Sequence, residues 1–231
     1  MIRLLFFLSL SFTSITIAAP PRVLAWDDDI AGRKLALVSS SDLVPITGMH
    51  PSKRTTSLRL KGVAPFAIRA MDKSPAADGK PIQIEIALPP TIKNPLILLM
   101  PDASHATGLR PLVIEDSPEG FHWGMYRFLN ATPKELTVQL EQKAVRVPAG
   151  WKPVDIDLGG ETRGFGVSIA LTDALDKPLY SAVWEYDKNA RTLCILVVGT
   201  DARNSPVGLK AIPEDKLSVE LEAIDNEKKD K

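Results

Sequence analysis

Apolar and polar residues alternate with a period of two through most of this chain, and that period restricts it to β-strands with one face in a core. Ile82, Ile84, Ile86 and Leu88 are interleaved with Gln83 and Glu85; Leu136, Val138 and Leu140 with Thr137, Gln139 and Glu141; Phe165, Val167, Ile169 and Leu171 with Gly166, Ser168 and Ala170. Two further runs are apolar at consecutive positions, from Leu96 to Met100 and from Leu193 to Val198. A strand of that kind belongs in the middle of a fold, covered on both faces. No long segment shows the 3.6-residue period of a helix, and 19 prolines oppose extended helices.

Turn residues punctuate the strands at Asp78-Gly79, Pro89-Pro90, Ala149-Gly150, Gly159-Gly160 and Asp187 to Asn189. Such spacing predicts a sandwich or barrel. Two hairpins are expected, one joining Leu179–Tyr186 to Arg191–Val198 and one joining Pro153–Leu158 to Phe165–Leu171. The polar stretch Glu115-Asp116-Ser117-Pro118-Glu119-Gly120 reads as a boundary between strand-rich halves. The fold expected is therefore all-β, with two tandem β-sandwich units over 22–116 and 120–222, each near the roughly 100 residues of a sandwich domain. One larger sandwich drawing on both halves is the alternative. Leu217, Val219 and Leu221 offer a last strand, and 223–231 reads as a charged, flexible tail.

Residues 1–19 have the layout of a secretory signal peptide: Arg3, an apolar run from Leu4 to Leu10, then Ala18 and Ala19 before Pro20. Ser9, Ser11, Thr13, Ser14 and Thr16 interrupt the run, which sets it apart from the roughly 20 apolar residues of a spanning helix. Export to the periplasm or the extracellular space follows. The chain carries 28 basic and 28 acidic residues. That balance does not suit nucleic-acid binding, whose domains are strongly basic. Cys194 is the single cysteine, so no internal disulfide can form. It reads as a small buried hydrophobe.

No residue pattern announces catalysis. His50, His105 and His122 are far apart, and no spaced ligand motif suggests a metal or other cofactor. Asp27, Asp28 and Asp29 lack the spacing of a calcium loop. Asp102, Ser104 and His105 read as a turn, because a triad needs convergence in space that neighbours in a loop do not supply. Between Asp42 and Asp72 the only charged residues are basic, and Lys53, Arg54, Arg59 and Lys61 form a candidate surface for an anionic partner. Tyr180, Trp184 and Tyr186 share one parity of a strand and are expected in a core rather than on a sugar-binding platform. Asn130-Ala131-Thr132 matches the N-glycosylation pattern.

The run from Phe121 (Phe-His-Trp-Gly-Met-Tyr-Arg-Phe-Leu-Asn), followed by Leu136 to Leu140 and by Val147-Pro148-Ala149-Gly150-Trp151, resembles a sandwich module of uncharacterised exported bacterial proteins. The resemblance covers roughly Phe121 to Asp157 and implies an immunoglobulin-like or related fold; it carries over no functional residue. The function expected from these readings is a non-catalytic β-scaffold of the cell envelope that binds an envelope protein or an anionic polysaccharide. Two alternatives stand beside it: a hydrolase or carbohydrate-active enzyme with acids on separate loops (Asp102, His105, Glu115 and Asp116), and a subunit of a surface assembly.

Overall fold

The computed structural model describes residues 19–62, 65–89, 91–201 and 205–229; the expected leader lies, up to residue 18, outside the described residues. The described residues form an all-β chain of fifteen strands, with a one-turn helix α1 (Asp28–Ala31) near the start and a longer helix at the end. The first seven strands are β1 (Arg22–Ala25), β2 (Leu35–Val38), β3 (Leu43–Ile46), β4 (Phe66–Ala70), β5 (Gln83–Ile86), β6 (Pro95–Pro101) and β7 (Leu109–Glu115). They form a sheet in the order β3-β2-β4-β5 and a second in the order β1-β6-β7. The remaining strands are β8 (Met125–Asn130), β9 (Leu136–Leu140), β10 (Lys143–Val147), β11 (Val154–Asp157), β12 (Arg163–Leu171), β13 (Tyr180–Tyr186), β14 (Ala190–Asp201) and β15 (Ser205–Asp215). Their sheets run β10-β9-β12-β13 and β11-β8-β14-β15.

The pairing scheme occurs twice. In each half the first strand pairs parallel with a long apolar strand, β1 with β6 and β8 with β14, and that strand pairs antiparallel with the last, β7 or β15. The other sheet of each half has the same strand order, β3-β2-β4-β5 and β10-β9-β12-β13, while β11 is an added edge strand beside β8 in the second half's inner sheet.

Three apolar cores separate four sheet layers. The first holds Val23, Ile97 and Leu99 against Leu35, Leu37 and Ile68. The last holds Phe128, Cys194 and Leu196 against Val138, Val167 and Ile169. Between them Leu24, Leu96, Leu98 and Ile114 meet Leu129, Leu193, Ile195 and Ile212 around Phe121. The two strands read as apolar on both faces are thus β6 and β14, and each has a core on either side.

Three local expectations are corrected. β13 and β14 do not pair: β13 bonds to β12, and β14 lies between β8 and β15 in another sheet. Asp187–Asn189 still reverses the chain, with Asp187 Oδ1 accepting from Asn189 N–H at 2.8 Å, but the reversal crosses a core instead of closing a ladder. β11 likewise pairs with β8 and not with β12. The segment expected as a last strand is helix α2 (Lys216–Lys229). Asp215 caps its start by accepting from Ser218 N–H at 2.8 Å, and Lys216 faces Glu220 one turn on. Those local contacts, with Lys, Leu, Glu or Ala at nine of its 14 positions, outweigh the weak alternation.

If the middle core joins the halves, Leu98→Ala should cost about 2–5 kcal/mol, and the chain should unfold in one transition. Chemical denaturation followed by tryptophan fluorescence and far-UV circular dichroism measures both. Two separated transitions would show that the middle core does not couple them.

Candidate functional site

At one end of the middle core, charged side chains leave the surface. Arg22 opens β1, Asp116 follows β7, and Arg191 and Glu214 are cross-strand partners on β14 and β15. Arg54 comes from a segment that runs beside β1, where Thr55 N–H donates to Val23 O and Leu58 N–H to Pro21 O. The side chains of Arg54, Asp116 and Arg191 are only 2 %, 3 % and 2 % exposed; Glu214 is 10 % and Arg22 15 % exposed.

Asp116 accepts from Arg54 through Nε at 2.9 Å and Nη2 at 3.1 Å, and also from Arg22 Nη2. Glu214 accepts from Arg191 Nε at 2.8 Å and from Arg22 Nη1. Paired guanidinium and carboxylate forks of this kind are the strong class of hydrogen bond. Burial alone would push the Asp116 and Glu214 carboxyls up, but the Arg54, Arg191 and Arg22 charges outweigh it and hold both below the ordinary carboxylate range. Burial dominates at Arg191 and lowers its guanidinium below its ordinary value despite Asp116 and Glu214.

The segment between β7 and β8 is keyed into this cluster and is not a loose linker. Arg191 Nη1 donates to the carbonyls of Asp116 at 3.0 Å and Phe121 at 2.9 Å. Arg127 grips the carbonyls of Glu115 and Gly120 while its fork engages Asp155, its register partner on β11, at 2.7 and 2.6 Å. The two guanidiniums lie over the Phe121 ring at 4.6 and 5.1 Å. At the other end of the middle core Trp26 meets Trp151 edge to face at 6.0 Å, with Lys210 over Trp26 and Arg110 over Trp151. Trp151 holds a left-handed φ of 70°, a costly conformation for a bulky residue.

The four basic residues singled out from the sequence are not one surface. Lys53, Arg59 and Lys61 are exposed, with Leu58 buried and Leu60 half-buried on the opposite parity, although the segment is not a regular strand. Arg54 is corrected: it turns inward, because Asp116 and the Ile212 carbonyl satisfy its guanidinium inside. The acids considered for hydrolysis are not brought together. Asp102 binds Ser104 and His105 binds Thr107 in the turn before β7, whereas Glu115 and Asp116 lie at its far end. Seven strand residues hold the pairs roughly 20 Å apart. Trp184 packs among Tyr126, Phe128, Phe165 and Tyr180, as a core residue would. Asn130 is fully buried, with its amide donating to the Lys134 and Val147 carbonyls, so its glycosylation match is a structural turn.

Sequence reasoning missed Arg22, Arg191 and Glu214. One signal was present: Arg22 directly precedes the buried apolar run Val23 to Ala25, and Arg191 lies two residues before the buried run Leu193 to Leu196, where a charge needs a buried partner.

Removing one carboxylate leaves buried guanidiniums unmatched, so Asp116→Ala should cost about 3–5 kcal/mol. Because Asp116 and Glu214 titrate lower when folded than when unfolded, their contribution is complete above the ordinary carboxylate range. It is lost as pH falls through their folded values, which places the loss below about pH 4. Urea titrations from pH 7 down to pH 2.5 should show that slope in wild type and a shallower one in Asp116→Asn. An equal slope in both would mean that Asp116 does not carry it. No protein-family model matches the chain, and no curated protein is significantly similar to it.

Proposed function

We propose that this is an exported, non-catalytic scaffold of two β-sandwich units in series that binds an anionic polymer of the cell envelope. One observation carries the reading: the segment bearing Lys53, Arg59 and Lys61 in exposed positions is backed by β1 and tied through Arg54 to the junction of the two halves. Positive charge on a fixed support attracts a polyanion without needing to be ordered on binding. The duplicated strand order supports two units in series. The immunoglobulin-like kinship is kept only at the level of two packed sheets, since the parallel β1–β6 and β8–β14 pairs depart from the antiparallel sheets of that fold.

Export is supported by the composition of residues 1–19. Burial pushes the Cys194 thiol pKa well up, which keeps it protonated and inert. No helix among the described residues is long and apolar enough to cross a membrane.

Reversing Lys53, Arg59 and Lys61 to Glu should abolish retention on immobilised dextran sulfate while leaving the melting temperature within a few degrees. Arg54 is left unchanged because its loss would unfold the junction. Wild-type retention should weaken steeply with salt, as a screened interaction must. Retention of the triple variant equal to wild type would remove this segment as the binding surface.

A further inference from the structure

Among the described residues the four sheets leave eight edge strands, and seven of these are guarded against pairing with another chain. β1 is covered by the segment that bonds to Val23 and Pro21. β3, β5 and β11 are only four residues long. β7 carries Pro111, β15 carries Pro206 and Pro213, and β10 carries Lys143 and Arg146. Short edges, prolines and cations are means by which proteins keep an open strand from pairing. β13 has none of them: it is seven residues long, in unbroken register with β12 from Tyr180 to Tyr186, and contains neither a proline nor a basic residue.

Its backbone is presented outwards. The carbonyl of Gly166, which lies opposite Val183 on β12, accepts from Glu141 N–H at 3.0 Å on the far side of β12. An antiparallel ladder alternates bonded and non-bonded pairs, so Val183 directs its own N–H and C=O away from β12, at the open edge. Glu185 has the same parity, and its carbonyl accepts from Tyr126 Oη at 3.0 Å. The Val183 side chain is 79 % exposed, and its neighbours on that face of β12 are Gly164 and Gly166, which offer no side chain to cover it.

The residues of β13 fit a second copy of the same strand. Antiparallel pairing about a two-fold axis at Val183 sets it against Val183 of the partner subunit, and Ser181 against the partner's Glu185. The one charge of the strand then meets a hydroxyl donor, and no like charges face each other. On the other face the half-buried Trp184 meets the partner's Ala182, small enough to leave room for the ring. Each of these contacts occurs twice, as a two-fold interface requires. We propose that the protein forms a homodimer by antiparallel pairing of β13 with its copy, which joins two four-stranded sheets into one of eight strands. The dimer goes beyond the polyanion reading and does not depend on it. A pair of seven-residue strands is a small interface, so the association is reversible and depends on concentration.

Sedimentation equilibrium of the full mature chain, from micromolar to submillimolar concentration, should show monomer and dimer in exchange. Val183→Lys should move that equilibrium about tenfold to higher concentration, since it removes an apolar pair and sets two like charges opposite each other. Far-UV circular dichroism and a thermal melt check that the variant keeps its fold, as the exposure of Val183 leads one to expect. Oxidation of Val183→Cys should link two chains, whereas Ser181→Cys, which faces the partner's Glu185, should stay unlinked. Cys194 is fully buried and does not compete. A wild type that is monomeric throughout would overturn the proposal. So would a dimer that persists unweakened in Val183→Lys, a dimer lost instead in Leu221→Glu on the exposed apolar side of α2, or equal cross-linking of the two cysteine variants.

Discussion

A strand with apolar side chains on both faces must be covered twice, and β6 and β14 impose that condition on everything around them. Ile97 and Leu99 face the first core while Leu96, Leu98 and Met100 face the middle one; Cys194 and Leu196 face the last core while Leu193 and Ile195 face the middle one. Neither half could expose its inner sheet to water without presenting a row of large aliphatic side chains. The cheapest cover for one inner sheet is the other, since each has the same need. The four-layer stack follows from that mutual burial. The edges of the inner sheets then meet along a line where backbone and charged groups must find partners out of water.

The ionic cluster answers that second requirement. Taking guanidiniums and carboxylates out of water is costly, and a buried ion pair on its own seldom stabilises a protein over a hydrophobic substitute. Its effect here is positional. Asp116 binds Arg22 and Arg54 from the first half and lies 3.6 Å from Arg191 of the second, while Glu214 binds Arg191 and Arg22 across the same line. Sliding one half against the other would strand at least one of these charges. The apolar core between the sheets is tolerant of small shifts; the charges are not. Non-directional burial brings the halves together, and directional hydrogen bonds choose their register.

The strands were legible because alternation is local: the residues of β9 and β12 state by themselves which face is buried. Pairing was not. Asp187 to Asn189 signals a reversal, but a reversal within a sheet and one across a core use the same turn residues. The choice between them was made by β8 and β15, which β14 needs on its two edges. The cluster was illegible for a related reason. Its members sit at 22, 54, 116, 191 and 214, and each looks ordinary in its own window. Arg54 beside Lys53 reads as one more surface cation, and Asp116 inside a Pro- and Gly-bearing polar stretch reads as linker. Only the long-range fold reveals that both point inward.

The repeat of the two halves, faint in the residues, becomes plain in the register. Arg22 lies opposite Leu96 on β6, and Arg127 lies opposite Leu193 on β14; the next pairs are Val23 with Ile97 and Phe128 with Cys194, then Leu24 with Leu98 and Leu129 with Ile195. In both series the first and third apolar partners enter the middle core and the second enters the half's own core. The two arginines therefore occupy equivalent places, and both engage the segment 115–121, Arg22 through the Asp116 carboxylate and Arg127 through the Glu115 and Gly120 carbonyls. The connection is held from both sides by the same position of the same motif. A chain joined in this way has its connecting segment held by one equivalent residue from each half, so the register of the halves is set at the connection as well as in the core between them.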